Sequence, residues 1–227
     1  MTKGDEILEV GAGTGQLTAG LLDAGAVVTA IEPGTQLRAV LARRFAGNPG
    51  LSIEGGYFED LSPDRTFSGV WSANAFHWLD PMRAIRVAHD ALGPGRSLVL
   101  IWTLLLVSDG DVAAVLRDEQ LGGGLTNFAP SSAAEVLDEF AASCAAGREH
   151  LRDSGLFGDP RWQTTRDTLR ISTADYPSLL LSFANAAAAP ARLRQELHDR
   201  LPDRLRSRGI ETVDFDHHGY GFTTVAN

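Results

Sequence analysis

The sequence predicts an α/β protein built on a parallel sheet, and three observations carry that reading. An apolar strand beginning at about Glu6 runs straight into Gly11, Gly13 and Gly15 at alternate positions, after which a helical pattern starts. Strand and helix patterns then alternate as far as Val107, the order that builds a parallel sheet. An acid, Glu32, closes the second strand twenty-one residues beyond Gly11. That spacing puts it at the strand tip beside the glycine turn.

The elements follow in order. Leu17 to Ala24 reads as a helix with Leu17, Leu21 and Leu22 on one face, stopped by Gly25. Ala26 to Ile31 is a buried strand that ends in Glu32-Pro33-Gly34. Gln36 to Phe45 is a helix with Leu37, Val40 and Leu41 inward, and Leu51 to Glu54 is a short third strand. Phe67 to Ser72 is a fourth strand, entered from the turn at Ser62-Pro63-Asp64. Asn74 to Trp78 is a loop or helical turn, and Pro81 to Ala91 a helix stopped by Gly93-Pro94-Gly95. Ser97 to Trp102 is a fifth strand whose unbroken aliphatic content implies burial on both faces.

After Val107 the pattern changes. Asp111 to Leu121 and Ser131 to Ala146 read as helices joined through Gly122-Gly123-Gly124, with Ser131 or Ser132 as an N-cap. Gln163 to Ile171 suits a sixth strand. Ala174 to Ala188 and Ala191 to Arg208 read as helices separated at Pro190, with the alanine tract 186–189 in the first and a kink or new turn at Pro202 in the second. Thr212 to Val225 holds the last strand. The expected organisation is a core over 1–107, a helical insertion or cap over 108–160, and a segment over 161–227 that completes the same sheet.

Composition excludes several classes of function. The 227 residues carry a net charge of −9, which argues against a nucleic-acid or anionic-membrane partner. The arginines between Arg192 and Arg208 alternate with Glu196, Asp199 and Asp203, as a solvated helix face does. With Cys144 as the only cysteine no intrachain disulfide forms, and no apolar run spans a bilayer. A cytoplasmic location is the expectation, and a homodimer is left open. No metal site is expected: strand alternation sends His217 and His218 to opposite faces.

Four stretches carry chemistry. The first is Glu9-x-Gly11-Ala12-Gly13-x-Gly15, where absent side chains let a ligand approach the backbone. Gln16 stands where the dinucleotide fingerprint wants its third glycine, which disfavours an NAD-linked oxidoreductase. The second is Glu32, placed to accept both ribose hydroxyls, with Pro33 beside it. The third is Tyr57-Phe58-Glu59, just after the third strand. The fourth and most specific is Asn74-Ala75-Phe76-His77-Trp78.

Together these resemble the motifs of class I S-adenosylmethionine-dependent methyltransferases, and the run around His77 is similar to that of the trans-aconitate methyltransferase-like group. The resemblance covers about residues 5 to 107. It implies a Rossmann-like, seven-stranded, mostly parallel sheet with an antiparallel last strand, to which the residue pattern adds a helical insertion after the fifth strand. It implies S-adenosylmethionine as cofactor, S-adenosylhomocysteine as product and a small-molecule methyl acceptor. Many relatives carry an acid at the position of Tyr57. This sequence looks like a subset with a Phe-Glu pair instead, so adenine falls to the Phe58 backbone, to Glu59 and to packing on Leu37. Glu9, the glycine turn with Ala12, Glu32, Pro33, Asn74, Ala75 and Phe76 complete the implied cofactor set. His77, with Trp78 beside it, is the candidate to bond a carboxylate or take a proton. Trp102 reads as a core aromatic. Relatives usually carry a helical segment before the first strand, and only Met1 to Asp5 stand there in this sequence, so an open cofactor cleft is expected. The alternative in a different class is a non-catalytic cofactor-binding or regulatory protein on the same fold.

Overall fold

A computed structural model of the protein describes residues 1–62, 64–107, 109–118, 133–182 and 190–227. The strands are β1 (Glu6–Val10), β2 (Val27–Ile31), β3 (Leu51–Glu54), β4 (Phe67–Ala73), β5 (Leu92–Val107), β6 (Arg161–Ser172) and β7 (Thr212–Val225). The helices are α1 (Gln16–Asp23), α2 (Thr35–Arg44), α3 (Pro81–Asp90), α4 (Gly110–Asp118), α5 (Ala133–Ser154), α6 (Tyr176–Leu180) and α7 (Ala191–Ser207).

The strands form one seven-stranded sheet in the order β3-β2-β1-β4-β5-β7-β6. The first five pair in parallel, with Leu8 level with Thr29 on one side and Val70 on the other. Leu8, Val28, Val70 and Leu98 are fully buried, which is why these strands read as aliphatic runs rather than alternating ones. β7 runs against β5: Gly95 N–H donates to Ala226 and Ala226 N–H to Arg96. β6 runs against β7, since Arg166 pairs with Asp216 while Arg170 pairs with Asp214.

The chain steps from β1 outward to β3, then returns to the other side of β1 to begin β4. Strand order therefore reverses between β1 and β4, and the carboxyl ends at such a reversal are where open α/β sheets bind ligands.

Contacts divide the chain into two compact units. The first comprises Met1–Thr103, Ala141–Thr164 and Gly219–Asn227. Its core contains Ile7, Ala12, Leu21, Val28, Ala30 and Leu41. The second comprises Leu104–Phe140 and Thr165–His218. It packs α4, α6 and α7 on Val213 and Phe215, with Leu197, Leu201 and Leu205 forming the buried stripe of α7.

Several boundaries differ from expectation. β5 begins at Leu92, because Leu92 pairs with Phe67 across a register shift, so Gly93 to Gly95 lies inside the strand rather than ending α3 as a free turn. α3 is bounded instead by its start: the Asp80 carboxylate accepts from Arg83 N–H at 2.8 Å, with Pro81 in the first turn. Of the expected helix, α6 forms over Tyr176–Leu180 and is followed by a turn where Ser182 Oγ donates to the Leu179 carbonyl, and residues 183–188 lie outside the described ones. α7 runs through Pro202 as one helix. Its three buried leucines outweigh the one backbone bond a proline removes, a loss of about 3 kcal/mol for an interior proline set against about 1.5–3 kcal/mol for each buried side chain. The expected glycine link 122–124, the caps at Ser131 or Ser132 and the alanine tract 186–189 lie outside the described residues.

Candidate functional site

The glycine turn leaves β1 and enters α1, and its glycines answer different demands. A Cβ on Gly11 would strike the Ala75 Cβ, so the turn touches the loop after β4 there. A Cβ on Gly15 would stand 2.6 Å from Leu41 Cδ1 and 2.5 Å from Phe45, which presses α1 against α2. Gly13 is the one of the three whose Cβ direction is open, with φ +58° and nothing within 4 Å. A ligand therefore has access to the backbone at Gly13.

Two acids stand beneath this turn. Glu32 is buried, and its carboxylate bridges two backbone donors: Oε2 accepts from Gly13 N–H at 2.8 Å and Oε1 from Gly34 N–H at 2.7 Å. Glu32 and the glycine turn are thus joined directly. Arg38 donates to the Glu32 carbonyl at 2.6 Å and Pro33 lies exposed beside it. Leu37 is half-buried, 3.4 Å from where a Gly34 Cβ would stand.

Glu9 points inward. It is 1% exposed and accepts from Thr18 Oγ at 2.6 Å. Burial pushes its carboxyl up to about 7, helped by the Glu32 charge and opposed by the bonds from Thr18. Thr18 was not singled out from sequence. A threonine between Leu17 and Leu21 reads as the polar side of α1, yet it is fully buried because Glu9 needs a donor.

After β3, residues Phe58–Asp60 form one 3-10 turn. Phe58 is buried, its ring centroid 6.3 Å from that of Phe76. Glu59 Oε2 is buried with no hydrogen-bond partner, although Glu59 also supplies its carbonyl to Arg83. Tyr57 is 64% exposed. A cavity of about 300 Å³ opens here, lined by Ile31, Gly55, Gly56, Tyr57 and Arg65 among others. A second, of about 320 Å³, lies by Asp5, Ser68 and Arg96, at the opposite ends of the strands from the glycine turn.

The loop after β4 completes the site. Asn74 takes a left-handed conformation, φ 54°, uncommon outside glycine. Its side chain explains the tolerance: Oδ1 accepts from Thr103 N–H at 2.8 Å and Nδ2 donates to Thr103 Oγ at 2.7 Å. Asn74 therefore anchors the loop to β5. Ser72 Oγ donates to the Val10 carbonyl at 2.9 Å, tying β4 to β1 just below the turn. Phe76 is buried, and Phe76–Trp78 form a second 3-10 turn that leaves Trp78 72% exposed. His77 is exposed overall; its Nδ1 accepts from Trp102 Nε1–H at 3.1 Å, and partial desolvation lowers the basicity of its ring. Trp102 is buried, as its reading as a core aromatic expects, and its bond to His77 is the part sequence did not show.

The structure thus brings Gly11 with Ala75, Gly13 with Glu32, and Phe58 with Phe76 at the carboxyl ends of β1, β2 and β4. No cluster of three or more His, Cys, Asp or Glu suited to a metal occurs among the described residues. His217 meets Asp167 and His218 meets Asp216, each on its own face. Cys144 is buried, and burial raises its thiol to about 11, where it is unreactive. No described helix is long and apolar enough to cross a membrane.

Residues 8–100 match the model of the methyltransferase domain family. An uncharacterized methyltransferase of Mycobacterium tuberculosis is 35% identical over 116 residues, 51% of this chain and 42% of the relative. The matched stretch therefore spans less than half of that relative's length. Among solved structures, phosphoethanolamine N-methyltransferase 2 of Haemonchus contortus, bound to phosphomonomethylethanolamine and S-adenosylhomocysteine, shares the fold. Its TM-score is 0.55 at 15% identity, over 100% of this chain and 49% of that one. The SpnF cyclase also shares it, with a TM-score of 0.50 at 18% identity over 100% and 76%. Both likenesses speak to the fold alone.

Proposed function

We propose that this chain, whose residues 8–100 match the methyltransferase domain family, binds S-adenosylmethionine across the tips of β1 and β2 and passes its methyl group to a small molecule. The observation that carries the reading is the pairing of Gly13 and Glu32: an open backbone position and a buried acid, 2.8 Å apart at adjacent strand tips.

The residues present suit that cofactor. Glu32 would accept from the ribose hydroxyls, sharing or giving up its bond to Gly13 N–H. The orphaned Glu59 Oε2 is an acceptor waiting for a donor such as the adenine amine. Gly13 leaves room for the amino-acid end. When bound, the cofactor supplies a methyl group on a positively charged sulfonium, already activated for in-line displacement. The chain has then to bind, align and exclude water. Buried Phe58 and Phe76 pack the loops after β3 and β4 together, and the Asn74–Thr103 clamp fixes the loop after β4. The likeness to the trans-aconitate group favours a carboxylate as acceptor, for which no base is required.

Calorimetry tests this. Binding of S-adenosylhomocysteine without binding of NAD supports the reading; binding of NAD, or of neither, overturns it. Incubation of protein and donor with a metabolite library, read as a mass gain of one methyl group, then identifies the acceptor.

A further inference from the structure

We infer that Trp102 is a positioning residue that holds His77 as a hydrogen-bond donor at its Nε2, so that the ring serves a methyl acceptor bearing a free lone pair rather than one that must first lose a proton. The inference rests on the proposed methyl transfer for its purpose, though not for its geometry.

An indole N–H can only donate. Trp102 Nε1 stands 3.1 Å from His77 Nδ1, so Nδ1 must present its lone pair. A neutral imidazole carries one hydrogen, which then sits on Nε2. A proton on Nδ1 would set two donors face to face and strand the N–H of a tryptophan that is 8% exposed. The basic lone pair of His77 is therefore already used inside the protein. No described residue accepts from Nε2, which leaves it to donate outward.

The parts that impose this state are fixed from two sides. Trp102 lies on β5, and its ring meets Phe222 edge-on at 5.3 Å and 77°. The next residue, Thr103, makes both bonds to Asn74, three positions before His77. One short loop is thus tied by four hydrogen bonds to three consecutive residues of β5, the fourth from Asn74 N–H to the Ile101 carbonyl. His77 stays exposed overall, and the partial desolvation of its ring also favours the neutral form. The turn that carries His77 follows Ala75, which abuts Gly11, so the donor stands on the loop that touches the glycine turn.

The chemistry fits a donor. Transfer to an acceptor atom with a free lone pair forms a bond to the methyl carbon as the carbon–sulfur bond breaks. The electron pair of that bond stays on sulfur, which becomes a neutral thioether. No proton leaves in this step, so a base has nothing to do, while a donor can hold the acceptor in line.

The test is nitrogen NMR on the ligand-free full chain, labelled in histidine and tryptophan side chains. His77 is assigned by comparison with His77→Gln. The expected wild-type result at neutral pH is a hydrogen on Nε2 and a coupling through the hydrogen bond between Trp102 Nε1 and His77 Nδ1. A hydrogen on Nδ1, or no coupling, overturns the inference without any variant. In Trp102→Phe the His77 titration midpoint should rise by roughly half a unit to one unit, since a bond to the neutral form is lost. An unmoved midpoint overturns the positioning role. These readouts need no cofactor, so they fail or hold separately from the calorimetry.

Discussion

Replacing Glu9 by glutamine isolates the cost of keeping an acid under the glycine turn. Burial carries this carboxyl from an ordinary 4.5 to about 7. The folded chain thus binds a proton there that the unfolded chain has released between these two values. Stability must fall as pH rises through that window and level off above it. At about 1.4 kcal/mol per unit, the accumulated loss is on the order of 3 kcal/mol. Glutamine cannot ionise, yet its carbonyl oxygen can still accept from Thr18 Oγ. Any mismatch of the new amide group adds an offset that does not change with pH. The quantity to measure is the difference in urea unfolding free energy between Glu9→Gln and wild type, from pH 4 to pH 9. It should stay level up to about pH 4.5, move in favour of the variant by about 3 kcal/mol by about pH 7, and then level off. Titrations elsewhere cancel in this difference, except for Glu32, whose charge contributes to the shift. A difference that is flat across the range would refute the buried-acid argument, and one that slopes the other way would mean Glu9 gains a charged partner on folding.

The glycine turn gives a paired prediction. Gly15→Ala should cost about 2–4 kcal/mol of stability, because it adds left-handed strain to an overpacked contact with Leu41 and Phe45. Gly13→Ala should cost only about 1–2 kcal/mol yet abolish calorimetric binding of S-adenosylhomocysteine, since its methyl group enters the open space at the turn. Glu32→Gln should turn an amide hydrogen toward one of two backbone donors, costing about 1–3 kcal/mol in thermal or urea unfolding and at least about tenfold in affinity for S-adenosylhomocysteine. Asn74→Ala should lose about 1–3 kcal/mol by giving up both Thr103 bonds and straining the left-handed backbone, while Asn74→Gly, which removes the strain, should recover part of it in the same assay.

Local signals made much of this legible. Gly11, Gly13 and Gly15 announce a turn because each lacks a side chain in one short run, and Glu32 stands out as the acid that ends an aliphatic strand. What stayed hidden is pairing across sequence distance. Thr18 looks solvent-facing until Glu9 is known to be buried beneath it, and Trp102 looks like core until His77, twenty-five positions earlier, is seen to accept from it. The motif singles out Asn74, but does not show that its side chain ties the loop to Thr103. At Pro202 the expected alternatives are a kink or a new turn, and no new turn forms: the proline's effect is local, whereas the stripe of Leu197, Leu201 and Leu205 that carries α7 past it acts over several turns.

The polar side chains of this site hold backbone more than they hold one another. Glu32 joins the Gly13 turn to Gly34, Ser72 joins β4 to Val10, and Asn74 joins the following loop to Thr103. Each tie runs between different strand ends, so the relative placement of the loops is set by sheet register and not by the loops' own exposed residues. Such a cradle is formed before a ligand arrives, which lowers the ordering cost of binding. In the proposed binding mode it would also set a competition, because the Gly13 N–H and a ribose hydroxyl would both donate to Glu32. A carboxylate can accept several hydrogen bonds at once. Whether binding keeps the Gly13 bond or exchanges it is therefore readable in the amide proton of Gly13, which exchanges slowly with solvent while that bond lasts and faster once it is released.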